Sequence, residues 1–174
     1  NNSNAFAGFD FTERAPNAVE LFANGPHHAQ EQFEVGQSTM SVETSYNFSL
    51  GYSYTDGLDI LKVETYYNYI DDFIAADRDG TTTVVEGEDM NNVNFTQYNA
   101  LFTGLEVSGQ YAFAKINDFD IISSFMMDFL KGYRTSNDKA LSRIPQTKIN
   151  FGIQAINEDW DANLGYYHYF DKDF

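Results

Sequence analysis

A chain of 174 residues with 26 Asp and Glu against 10 Lys and Arg carries a formal net charge of −16 and lacks the basic surface that phosphate recognition needs. Nucleic-acid binding is excluded on that ground, and the absence of cysteine removes any disulfide framework or thiolate metal site. Aromatic residues reach 17%, with 12 Tyr and 16 Phe, yet mean hydropathy is −0.43. No run approaches the roughly 20 consecutive apolar residues of a membrane helix. The apolar side chains are spread by alternation.

The opening residues NNSNAFAGFD show neither the charged nor the apolar region of a secretory signal, so an exported protein would carry this chain as an internal piece. Ala5 to Phe11 is expected to end a strand that breaks at Thr12–Pro16. A short helix is expected over Asn17 to Phe22, with Asn17 as its cap and Glu20 at the third position after it. Asn24-Gly25-Pro26 stops it, and Pro16 to Ser38 forms a long polar connection.

Thr39 to Tyr54 is the stretch around which the rest is organised. Met40, Val42, Thr44, Tyr46, Phe48, Leu50, Tyr52 and Tyr54 alternate with Thr39, Ser41, Glu43, Ser45, Asn47, Ser49, Gly51 and Ser53. Period two places an aromatic-rich face opposite a polar one. Two architectures accept such a strand: a large antiparallel sheet wet on one side, or a membrane barrel with lipid outside and a polar lumen. Asp56-Gly57 closes it with a tight-turn signal.

A third strand runs from Leu58 to about Ile74, with Leu61, Val63, Thr65, Tyr67 and Tyr69 opposite Lys62, Glu64, Tyr66 and Asn68. Asp71 to Asn94, holding Gly80, is expected to be a second long loop. The fourth strand covers about Phe95 to Phe113, and a short turn follows at Lys115 to Asp118. The fifth covers Phe119 to Tyr133, and Arg134 to Arg143 makes a third polar connection. The sixth runs from about Pro145 to Ile156, turns at Asn157 to Asp159, and is followed by a seventh over Trp160 to Phe170. Long and short connections therefore alternate, which is the habit of outer-membrane barrels, and aromatic residues crowd strand ends as interfacial girdles do. A β-sandwich with an aromatic core is the alternative. The expected fold is all-β: an antiparallel meander of about seven long strands, an incomplete part of a large transmembrane β-barrel.

The run Glu13-Arg14-Ala15-Pro16-Asn17-Ala18-Val19-Glu20-Leu21-Phe22, followed by Gly25-Pro26-His27-His28, Phe33-Glu34-Val35-Gly36 and Glu43-Thr44-Ser45-Tyr46-Asn47, resembles the barrel region of TonB-dependent outer-membrane receptors. Tyr67 to Ile74, Gly104-Leu105-Glu106 and Ser142-Arg143-Ile144-Pro145 extend that resemblance along the chain. Gly-Pro-His-His with Phe-Glu-Val-Gly looks most like the zinc-uptake branch. The resemblance implies a plugged barrel in the bacterial outer membrane that takes up a scarce nutrient with energy from the TonB complex, engaged through a plug that residues 1–174 do not include. On this reading the chain is an internal fragment of the barrel domain. Lys172, on the face of Phe170 and Phe174, is unlike a natural terminal strand.

Catalysis is not expected, because no phosphate loop, Gly-x-Ser-x-Gly elbow or His-Glu-x-x-His motif occurs. A passive porin and a secreted sugar-binding β-sandwich are the other functional readings. Glu43, Glu64, Glu106, Asp120 and Asp128, with Lys62 and Lys148, are expected to form a hydrated lumen wall whose charges pair across strands. His27 and His28, with Glu31 and Glu34, are the candidate metal-capture residues, since imidazole and carboxylate suit zinc. Zinc or a metal chelate such as a siderophore or haem is then cargo, and no resident cofactor is required.

Overall fold

The computed structural model describes residues 2–142 and 144–171. In chain order the elements are β1 (Asn2–Arg14), helix α1 (Ala18–Phe22), β2 (Asn24–His27), a single 3-10 turn (His28–Gln30), β3 (Gln32–Val35), β4 (Glu43–Asp56), β5 (Asp59–Val85), β6 (Glu88–Ile116), β7 (Phe119–Arg134), β8 (Lys148–Ile156) and β9 (Asp161–Tyr169). Seven of the strands form one antiparallel meander, β1-β4-β5-β6-β7-β8-β9, which is open, with β1 and β9 at its edges.

The alternation of β4 is inverted relative to a soluble sheet. Phe48 is 55% and Leu50 58% exposed, whereas the intervening Asn47, Ser49 and Gly51 are half-buried. Register carries the same division across the meander. Leu50, Thr65, Leu105 and Phe129 form one outward row, and Tyr52, Val63, Val107, Met127 and Ile149 another. On the opposite face Glu64, Glu106, Asp128 and Lys148 stand side by side. Among the described residues no large side chain is fully buried. In β4 and β8 the large apolar side chains are exposed and the intervening residues half-covered, whereas in β5 and β6 Glu64 and Glu106 are exposed beside half-buried Val63 and Val107. The constant feature is the register, which sets an apolar face opposite a polar one, as suits an apolar medium outside and water inside.

Glycine on the inner face admits cross-strand rings. A Cβ on Gly104 would lie 2.3 Å from the Tyr66 ring, and one on Gly51 2.1 Å from that of Phe6; both pairs are register partners. The small residue lets its aromatic partner lie flat on the sheet.

The two ends of the meander differ. At the short-turn end strands join through Gly57, Asn117 and Asn157, with φ of +59° at Gly57 and +56° at Asn117. At the other end the chain makes its long connections, and the apolar residues Ile70, Ile74, Met90, Val93, Ala100, Leu101 and Leu141 are buried there.

Several boundaries depart from the sequence pattern. The organising strand begins at Glu43 instead of Thr39, because the Ser41 backbone is taken by Gln97: its N–H donates to Oε1 at 2.8 Å and its carbonyl accepts from Nε2 at 2.9 Å. The sixth strand starts at Lys148, past Pro145, which has no N–H to give a ladder. The largest correction concerns Asp71 to Asn94, which is a two-stranded continuation of β5 and β6 turning at Glu86-Gly87 instead of a loop. Its polarity suggested a loop, yet the polar side chains bond one another across the ladder. Thr83 Oγ1 donates to Asn92 Oδ1 at 2.7 Å, Asn92 Nδ2 to Thr81 Oγ1 at 2.7 Å, and Asn94 Nδ2 to Asp79 Oδ2 at 2.9 Å. Bulges at Ile70/Phe73 and Arg78/Thr82, with Asp72 and Gly80 at positive φ, re-aim this arm. Twelve residues of β6 beyond the last β7 pairing, Glu88 to Asn99, give it a reach of about 40 Å at ~3.3 Å per residue.

Candidate functional site

The long-connection end gathers three structured pieces. The first is α1, closed by a capping box in which Asn17 Oδ1 accepts from the Glu20 N–H at 3.0 Å and Glu20 Oε2 accepts from the Asn17 N–H at 2.7 Å. Arg14 Nη1 donates to both Glu20 oxygens, at 2.9 and 3.0 Å, and Arg14 Nε and Nη2 donate to Glu43, each at 3.2 Å. Glu43 Oε2 also accepts from the Ile74 N–H at 2.8 Å. One guanidinium thus ties β1, α1 and β4 together. The Arg-x-Pro-x-x-x-Glu-Leu-Phe segment is therefore a structural clasp at this end.

The second piece is the ribbon of β2 and β3. β3 pairs in parallel with Asn91–Asn94 of β6 and covers an edge that the arm would otherwise leave open. His27 and Glu34 come together on this ribbon, His27 Nδ1 lying 3.0 Å from Glu34 Oε1. His28 and Glu31 bound the intervening 3-10 turn, both exposed, with Glu31 at φ +52°. Of the four candidate ligands, one pair is therefore formed. Among the described residues no group of three or more His, Asp or Glu is placed to hold a metal ion.

The third piece is the end of β7 with the segment after it. Arg134 Nη2 donates to Asp77 Oδ2, and its guanidinium carbon lies 3.6 Å from the centroid of the Tyr98 ring. Thr96 Oγ1 also donates to Asp77, at 3.1 Å. Burial pushes the Tyr98 phenol above its usual pKa, Asp77 adding to the rise and Arg134 opposing it. Beneath lies a cavity of about 410 Å³ reached by Gln32, Asp77, Arg78, Tyr98, Arg134 and Lys139. Sequence reasoning missed this cluster, because its members come from four distant stretches and share no motif. The available signal was three cations flanking connections of an acidic chain. Arg143, one of the residues behind the family resemblance, lies outside the described residues, as do Lys172 and Phe174.

The inner wall pairs its charges only in part. Lys148 meets Asp128 at 2.7 Å and Lys115 meets Asp120 at 3.6 Å, whereas Glu43 belongs to the Arg14 clasp. Glu64 stands directly opposite Glu106, and both line a cavity of about 150 Å³ with Lys62 and Asp128.

The family model described as TonB dependent receptor-like, beta-barrel matches residues 1–174. The chain belongs to this family. It is a family of transport receptors and not of enzymes, and its members are outer-membrane β-barrel proteins. Among solved structures, the chain is similar to the copper transporter OprC, at 19% identity and a TM-score of 0.68 over 95% of this chain and 24% of that one. It is also similar to the siderophore receptor PirA from Acinetobacter baumannii, at 20% identity and a TM-score of 0.62 over 96% of this chain and 26% of that one. PirA from Pseudomonas aeruginosa matches at 14% identity and a TM-score of 0.58, over 95% and 31%. At such identities the likeness is one of fold. The chain spans between 24% and 31% of the length of these receptors. Its open meander accordingly has the form of part of a TonB-dependent receptor barrel.

Proposed function

We propose that this chain is an internal piece of the barrel domain of a larger outer-membrane receptor, and that the whole receptor takes up a scarce nutrient, a metal ion or metal chelate, driven by the TonB complex. The observation that carries the reading is the apolar face that register sets opposite a polar one, together with a structured cluster at the long-connection end. Placed in a membrane, the long-connection end faces outward from the cell and the short turns face the periplasm, as barrel architecture favours. Coupling energy would reach the cargo through a plug domain supplied by the rest of the receptor. Uptake by the parent receptor should collapse when the coupling system is deleted; equal uptake with and without it would make the protein a passive porin.

Zinc is the cargo that the ribbon chemistry suggests. His27 and Glu34 supply one imidazole and one carboxylate at mutual contact, and zinc would draw its remaining ligands from water, from His28 or Glu31 after a local rearrangement, or from elsewhere in the receptor. Binding should weaken as pH falls through the histidine range, since a protonated imidazole cannot ligate. Calorimetry on the full receptor and on its His27→Ala, His28→Ala variant tests this: unchanged zinc affinity would remove the ribbon from metal capture.

A further inference from the structure

The cavity at the base of the arm has a charge opposite to that of the chain. Arg78, Arg134 and Lys139, three of the chain's 10 Lys and Arg, reach it, and among the described residues Asp77 is the one lining acid. Focusing by low-dielectric walls makes such a local excess of positive charge attractive to anions even on an acidic protein. Arg134 is pre-set for recognition. Asp77 occupies one edge of its guanidinium and the Tyr98 ring covers one face, which fixes the plane and leaves further N–H donors for a ligand.

Gln32 adds an uncharged polar group to the same wall. The residue as a whole is only 5% exposed, and it lines the cavity with a side-chain amide that makes no hydrogen bond to another of the described residues and stays open to solvent. An amide free of protein partners can bond water or a ligand in the cavity. It offers both a donor and an acceptor to whatever fills the cavity.

We propose that this cavity is a binding site for a small oxyanion-bearing solute, recognised through carboxylate or phosphate oxygens by Arg134, Arg78 and Lys139 and oriented by the Gln32 amide. The inference deepens the uptake reading, on which it rests only for placing the cavity on the side where cargo arrives. A volume of about 410 Å³ suits a compact anion or the acidic end of a metal chelate better than a bare ion. A site of this kind and a metal-binding ribbon make opposite demands on cargo charge, so the two can be separated by experiment.

The test is calorimetry on the purified full-length receptor with citrate, with pyrophosphate and with zinc chloride, independently of any uptake assay. Citrate or pyrophosphate should bind, and the tighter of the two identifies carboxylate or phosphate as the recognised group. Lys139→Gln and Arg78→Gln, both at exposed positions, should each weaken that binding severalfold, and Arg134→Gln should weaken it about tenfold or more, as expected for a charge-assisted contact. Gln32→Leu should weaken it while leaving the salt dependence unchanged, because it removes no charge. Lys115→Gln, at the short-turn end, should change nothing. Because Arg134→Gln also loosens the arm, the exposed pair decides the matter. No binding of either anion, or binding unaltered by Lys139→Gln and Arg78→Gln, would overturn the proposal, and so would binding of zinc alone. Loss of TonB-dependent uptake with anion binding intact would instead count against the transport reading and leave this site standing.

Discussion

Replacing Gly104 by alanine should destabilise the barrel through one ring. The added Cβ would lie 2.3 Å from Tyr66 Cζ and 2.4 Å from Cε1, far inside van der Waals contact, and the rigid phenol cannot bend away without leaving the sheet. Overpacking of this kind costs about 1–3 kcal/mol. In a Tyr66→Ala background the clash is gone, and alanine should then be neutral or favourable by about 0.5–1 kcal/mol, since glycine in a strand carries an entropic penalty. The double-mutant cycle, read from denaturant midpoints of the full-length receptor in detergent, should therefore give a coupling energy of about 1–4 kcal/mol. An equal cost of Gly104→Ala in both backgrounds would refute the packing of this ring over this glycine.

Two further outcomes follow from the long-connection end. Arg14→Ala leaves the Glu20 and Glu43 side chains, 11% and 13% exposed, without their common partner. Discounted for the half-exposed guanidinium, the loss should be about 1–3 kcal/mol, seen as faster proteolysis between residues 15 and 23. Glu20→Gln, which keeps an acceptor for the Asn17 N–H, should cost less. The arm should loosen in acid: the Thr81 hydroxyl, the Thr81 N–H and the Asn94 amide hold the Asp79 carboxyl below its ordinary value of 3.8. A depressed carboxylate contributes stability above its unfolded pKa and loses it as pH falls through the folded one, so amide exchange over residues 79–94 should accelerate only below about pH 4.

Period-two patterning made the meander legible, most clearly in β4, β5, β6 and β8. The alternation of β7 is weaker, with Ile122 and Met126 on the face of Asp120 and Asp128, and its place follows from register with its neighbours. Helix α1 was legible for a local reason, the reciprocal bonds of Asn17 and Glu20. The arm was not. Its Asp, Thr and Asn side chains satisfy one another between strands, and that pairing depends on a register set by two bulges that composition does not disclose. At the site, the His27–Glu34 contact follows from β2 and β3 forming a ribbon, a pairing hidden in a segment with a Pro and two Gly. Arg134 and Asp77 are 57 positions apart, so only the folded sheet brings them together.

The account depends most on an outward apolar face in a membrane with the long connections outside the cell. Single cysteines at Gln30, Glu88 and Asn137 on the long-connection side, and at Asp118 and Glu158 on the other, sit at exposed positions in a chain that has no cysteine of its own. A membrane-impermeant thiol reagent applied to intact cells expressing the full receptor should label the first three and spare the last two until the outer membrane is permeabilised. Labelling of Asp118 and Glu158 with protection of the other three would reverse the orientation, and uniform labelling of all five would contradict the barrel.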